Sequence, residues 1–470
     1  MKLDKKDIEA VIATNRFGMG ARPGEIEAAK PNPREWLIRS LSSITPPPQA
    51  PNATSMLKLW EELKLQKKIA KANNMPKTLN SPEKMSKESM TTNNKIPPNL
   101  LFRNNSGLIV KQSINSNASI NFRLLDFFSN HFSVSANSNG LKLLTPTLDW
   151  DAIAPNLMGP FSEMLIAVIT HPAILLYLDN DKSVGPNSKK AKRQPKLGLN
   201  ENLAREIFEL HTMGVNSGYT QNDIIELAKA ITGWSFIRQP SKNKKEEYQP
   251  YIYRKSSNEP GTRKILNKEY SEAKYSNHQA VSILKDLANH PKTAQHVCTK
   301  LARHFTKDQP EIKLINQMSR TWLKTQGNLK AVMETLILSD LAWQSKNLKY
   351  KSPREFLISA YRMVTKKTID KENKLLFSDL KHLGQEPYSA GSPAGFDDTR
   401  ASWDGSDELF NRIDWSAHFS SRLKKPSIQE LAKTALNNTI SNDTLTVINQ
   451  AESQRQAVSL LLMSPEFLVR

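Results

Sequence analysis

The chain has 470 residues, 38% hydrophobic and 24% charged, a polar composition that still lies outside the disordered class. No run of eighteen apolar residues occurs, which excludes a bilayer-spanning helix, and the single Cys298 excludes an intramolecular disulfide or a cysteine-based zinc cluster. The net charge of +20 points first to nucleic acid, but residues 57–98, 182–196 and 237–268 together carry +17 of it and read as loops or insertions.

The first residues, Met1-Lys2-Leu3-Asp4, alternate charges and lack the apolar core of a secretory signal, so cytoplasmic residence is the default expectation. Asp4 to Asn15 predicts a short helix with Ile8, Val11 and Ile12 on one face, ending at the Gly18-Met19-Gly20 turn. Pro33 opens a second around Trp36 and Leu37, stopped by the proline-rich Thr45 to Asn52. Residues 57–98 form a Lys/Asn-rich insertion, whose stretch from 68 has little periodicity and reads as mobile.

From Ile120 to His131 the spacing of Phe122, Leu125, Phe128 and Phe132 predicts a buried helix. Phe161 to Leu178 is apolar almost all round and is broken by His171-Pro172 into two core helices. Residues 182–196 are a basic loop. Glu201 to Met213 predicts a helix closed by Gly214, and Thr220 with Asp223 is a capping box for the next. Residues 237–268 read as a loop or a small hairpin centred on Asn258-Glu259-Pro260-Gly261.

His290-Pro291 starts a helix with Ala294, Val297, Cys298, Leu301 and Phe305 on one face. Ser352-Pro353 with Glu355 is a further capping box. Leu383 to Asp414 is a Gly/Pro-rich coil whose Phe396 and Trp403 imply docking on the body. Helices at about 427–437 and 450–470 close the chain. The expected fold is therefore all-α: one multi-helix globular bundle over residues 1–470, with long loops and at most one small β-hairpin.

No phosphate-binding Gly-rich loop, GxGxxG, GxSxG or HExxH is present, which argues against the commonest nucleotide, serine-hydrolase and zincin sites. One polar constellation remains. Glu206 and Glu209 lie one helical turn apart with Arg205 and His211 nearby, a set able to hold a divalent ion or perform acid–base work. The competing reading pairs Arg205 with a carboxylate and has His211, as an imidazolium, capping the helix end. His131 is the second candidate, expected either to converge on the Glu206 helix or to sit hydrogen-bonded in the core. His171, His290 and His304 are accounted for by capping or packing, and Asp397, Asp398 and Asp404 by an ion contact or Asx turns.

The runs Asn15-Arg16-Phe17-Gly18-Met19-Gly20, Asn130-His131-Phe132, Asn200 to Gly214, Thr232-Gly233-Trp234, Lys300-Leu301-Ala302-Arg303-His304-Phe305 and Ser464-Pro465-Glu466-Phe467 carry a full-length likeness. In these residues the chain resembles the bacterial family catalogued as domain of unknown function 1800. The resemblance implies a helical protein of the periplasm or cell envelope, acting beside a partner similar to sulfatases and alkaline phosphatases. Asn258 departs from it, since relatives often have histidine there.

Three expectations for function follow. The first is a helical binding or accessory protein of the envelope. The second is a hydrolase or metal-dependent enzyme using His131, Arg205, Glu206, Glu209 and His211. The third is weak nucleic-acid binding through the basic loops, without sequence specificity; the sequence names no cofactor.

Overall fold

The computed structural model describes residues 4–72, 97–237, 248–271, 277–344, 349–364 and 372–470. Residues 73–96 of the expected insertion and 238–247 of the expected loop lie outside the described residues. Among the described residues there are 23 α-helices and two small two-stranded antiparallel sheets, so the fold is mostly α with slightly more strand than expected. No helix among them is long and apolar enough to cross a membrane.

The core grows from the apolar faces that the periodicity marks. The Ser119–His131 helix buries Phe128 and hands over to buried Phe132, and both rings lie 6.1–6.3 Å from Phe161 on the Phe161–Ile169 helix. Each fully buried phenylalanine contributes on the order of 2–3 kcal/mol. In the Pro291–Phe305 helix the ring Nδ1 of His290 accepts from the Lys292 N–H at 3.2 Å, Pro291 supplies the first helical residue, and Ala294, Val297, Cys298, Leu301 and Phe305 are buried. The opposite face of that helix carries His296, Lys300 and Arg303.

Two helices approach more closely than side chains allow. Gly107, in the Pro98–Asn115 helix, lies against the backbone of Asn373 at the start of the Asn373–His382 helix, well inside the room a Cβ needs. Gly107→Ala should therefore push the pair apart and cost about 1–3 kcal/mol of stability. A urea midpoint unchanged by this substitution would show that the helices separate freely.

The strands differ from expectation in their partners. Trp234–Ile237 pairs with Gln249–Tyr253, and Arg263–Ile265 pairs with Lys268–Tyr270. The second pair turns through Leu266 and Asn267, both at positive φ (48° and 64°), as a two-residue hairpin turn requires. The Asn258–Gly261 turn, expected at the hairpin tip, is instead pegged to the body. Glu259 accepts from the backbone and side-chain nitrogens of Asn187 (2.7 and 2.6 Å), and Asn258 donates to the Thr232 carbonyl at 3.0 Å.

Two predicted loops contain helix. Residues 57–72 belong to the Ala53–Ala72 helix, and the basic loop holds the short Lys189–Arg193 helix capped by Ser188. The late coil ends at 405, because the Ser406–Ser421 helix begins inside the stretch expected to be irregular. Toward the C-terminus, helices Ile428–Leu436, Asn442–Asn449, Gln454–Leu462 and Pro465–Leu468 replace the two expected.

Candidate functional site

A cavity of about 340 Å³ lies between the C-terminal turn of the Ser119–His131 helix, the outer face of the Pro291–Phe305 helix, the start of the Pro353–Val364 helix and the 383–405 coil. Its walls include His131, Lys300, Arg303, His304, Asp398 and Trp403. The size is that of a small-molecule pocket.

The coil is fastened over the cavity by backbone-directed bonds. Asn130 donates from Nδ2 to the Phe396 carbonyl and accepts the Phe396 N–H at Oδ1, both at 2.8 Å. Gly395 makes this approach possible: it holds φ +84°, and a Cβ there would come within 2.5 Å of the Asn130 carbonyl oxygen. Further along, Ala136 N–H donates to the Tyr388 carbonyl at 2.9 Å, and the Tyr388 hydroxyl donates to Asp149 Oδ2 at 2.6 Å. Burial pushes the Asp149 carboxyl up to about 6, partly opposed by its bonds from Tyr388 and Ser129.

His131 in the wall, with His211 and His296 behind it, has its tautomer set, as theirs are, by peptide carbonyls, which only accept. His131 Nε2 donates to the His211 carbonyl and His211 Nδ1 donates to the His131 carbonyl, both at 3.2 Å. His296 Nε2 donates to the Leu210 carbonyl at 3.2 Å. Burial, then the neighbouring Lys300 charge, holds His131 well below the usual imidazole range, His211 down at about 3 and His296 at about 4. The three are neutral at pH 7, so the free Nδ1 lone pair of His131 accepts from Lys300 Nζ at 3.0 Å. Loss of water around Lys300 lowers its amine to about 8, with Arg303 adding to this and Asp398 opposing it.

The other end of the wall holds an acid–imidazole pair. His304 Nδ1 and Asp398 Oδ2 are 3.2 Å apart, and His304 Nε2 is buried without a hydrogen-bond partner. Asp398 also receives Lys349 Nζ, at 3.2 Å to Oδ1 and 2.5 Å to its carbonyl. Burial raises the Asp398 carboxyl, but the charges of His304, Lys349 and Arg470 outweigh it and hold it at about 2. Beneath them Glu355, closing the capping box with Ser352, bridges Arg123 and Arg470.

The model of the family described as "Protein of unknown function (DUF1800)" matches residues 12–469. The chain belongs to this family. No curated protein and no solved structure matches it.

In this DUF1800 chain the structure brings together two of the five residues singled out from sequence. His131 and His211 meet through their reciprocal bonds, and His131 borders the cavity. Arg205, Glu206 and Glu209 are not among the residues lining it. Arg205 bonds Gln221 at 2.9 Å and reaches Glu201 and Glu209 at 3.4 Å each, as the ion-pair reading has it. Glu206 is half-buried, its carboxyl raised by burial and by Glu209. The imidazolium cap considered for His211 does not form: the ring is buried and neutral, because residues 207–211 wind as a π-helical turn that swings it inward. Among the described residues, no group of three or more His, Cys, Asp or Glu side chains is placed to hold a metal ion.

Sequence reasoning passed over Lys300, Arg303 and His304 as chemistry. Their i, i+3, i+4 spacing puts them on one face, opposite the apolar residues of the same helix, and that pattern was the available signal.

Proposed function

We propose that this chain is a binding protein that receives a small polar molecule in the cavity beneath the 383–405 coil. The observation that carries this reading is the cavity itself, whose walls draw charged and hydrogen-bonding side chains from four separate stretches of chain. Convergent polar groups in a concave pocket are the ordinary signature of a ligand site. The family resemblance supports an accessory role in the bacterial envelope beside a phosphatase- or sulfatase-like partner.

A thermal-shift screen of small polar compounds tests the reading. Ligands should raise the melting temperature of the native chain and lose this effect in Ala394→Trp, which crowds the exposed rim residue Ala394. Shifts that survive unchanged in Ala394→Trp would place binding elsewhere and end the proposal.

A second reading, that the chain is a hydrolase, is favoured by one specific feature. An imidazole held at Nδ1 by a carboxylate, with Nε2 unpartnered, is the arrangement of a general base. If the chain turns over a ligand found in the screen, His304→Gln should lower the rate by about 100-fold or more while binding persists. Equal turnover in His304→Gln would remove this reading.

A further inference from the structure

The charges bordering the cavity are unevenly matched. Asp126 pairs with Arg354 at 2.7 Å, Asp398 with Lys349 and His304, and Glu355 with Arg123 and Arg470. Asp397 is exposed and accepts from Ser402 at 3.1 Å. Among the described residues Lys300 and Arg303, one turn apart on the Pro291–Phe305 helix, form no ion pair with a carboxylate, and among carboxylates only the Asp398 charge acts on Lys300 through space. The Lys300 amine meets a neutral imidazole, and Arg303 Nε donates to the Asp308 carbonyl at 3.1 Å.

An ammonium has three donors and a guanidinium five. The bonds just described use one of each, so the wall retains donor capacity and two positive charges facing a space that water or a ligand must fill. Beside them stands His304, 7% exposed, with the orphaned Nε2. Buried polar atoms without partners are uncommon and mark places where a missing group completes the bonding. Across the cavity the coil presents Phe396 and Trp403, with ring centroids 6.1 Å apart, as an apolar surface.

Resting on the reading of this cavity as a ligand site, we infer that its ligand carries an oxyanion, of the phosphate, sulfate or carboxylate class. The oxyanion sits against Lys300 Nζ and the Arg303 guanidinium, and the organic body lies along Phe396 and Trp403. Charge-assisted bonds of this kind are about twice as strong as neutral ones, and a guanidinium fork adds direction to the ammonium's charge. In a phosphate or sulfate ester, the His304 Nε2 then meets the oxygen that joins body to anion.

The experiment titrates the full chain with four probes that share one ring: phenyl phosphate, phenyl sulfate, benzoate and the neutral benzyl alcohol. At least one anionic probe should bind at least tenfold tighter than benzyl alcohol. Lys300→Met and Arg303→Met should each weaken that probe at least tenfold, Lys300→Arg should largely restore it, and Lys190→Gln in the basic loop should leave it unchanged. Circular dichroism checks each variant for folding, and Arg303→Met alone suffices if Lys300→Met does not fold.

Anionic probes that bind native chain and Arg303→Met equally would overturn the inference. Binding of benzyl alcohol that is lost in Ala394→Trp, with no gain from any anion, would overturn the inference while leaving the cavity as a ligand site. Absence of binding by all four probes, together with no hit in the broader screen, would overturn both.

Discussion

Glu355→Gln should destabilise the fold by about 3–5 kcal/mol, the range for breaking a buried ion pair from one side. The carboxylate is 3% exposed and meets Arg123 and Arg470 through one oxygen, with Arg470 at 2.7 Å. The charges of Lys351 and Arg412 also lie close enough to interact with it. Glutamine keeps the shape and an acceptor for the Ser352 N–H, but its amide NH2 then faces the two guanidinium groups, so the loss reads the charge together with the bonds to Arg123 and Arg470. Chemical denaturation at pH 7.5 measures it, and a loss below about 1 kcal/mol would mean the guanidinium groups are balanced without this carboxylate. Burial favours the neutral acid, but Arg470 and Arg123 hold Glu355 well below its usual range. Its stabilisation is therefore present above the unfolded-state value and is lost only as pH falls through the folded one.

The second large effect is loss of stability on mild acidification. The unfolded chain takes up protons on His131, His211 and His296 near pH 6.5, whereas folding holds His211 at about 3 and His296 at about 4, with His131 also well below. A depressed imidazole value means that stability is full above 6.5 and drains away as pH falls toward the folded value. Between pH 7 and pH 5, His211 alone should cost about 2 kcal/mol. Asp149, raised to about 6, works in the opposite direction and offsets about 1 kcal/mol over the same interval. With His296 costing about the same as His211, the net fall from these groups should be about 3 kcal/mol, and His131 adds to it, so the melting temperature drops. His211→Asn keeps a donor for the His131 carbonyl and should flatten the profile. A native melting temperature constant from pH 7 to 5 would refute the assignment of neutral, proton-refusing rings.

What could be read from the chain before folding depended on range. Helices announced by a cap and a stripe, such as Thr220 with Asp223 or Ser352 with Glu355, form where the local code places them, because that code acts over three or four residues. The strand partners of Gln249–Tyr253 and Arg263–Ile265 were not legible, since the Asn258–Gly261 turn is fixed by Asn187 and Thr232 from elsewhere in the chain. In the candidate site, the meeting of His131 and His211 follows from two helix ends converging across eighty positions, which no spacing rule reports. The π-helical turn at 207–211 compounds this by changing which face His211 occupies relative to Glu206. Lys300, Arg303 and His304 were legible as one face. His304 reads as a packing residue from sequence, and nothing in the spacing marks Lys300 and Arg303 as lining a cavity until a coil is seen to cover them.

The reciprocal bonds between His131 and His211 also fix where two helices stop. Both rings belong to the last residue of their segments, so two carbonyl-rich, negatively polarised helix ends are drawn together close to Lys300. Peptide dipoles then join the Asp398 carboxylate in favouring the ammonium, against the burial that holds its amine down at about 8. A lysine balanced this way keeps its charge without committing its outward side to a neighbour, which leaves that side available to whatever enters.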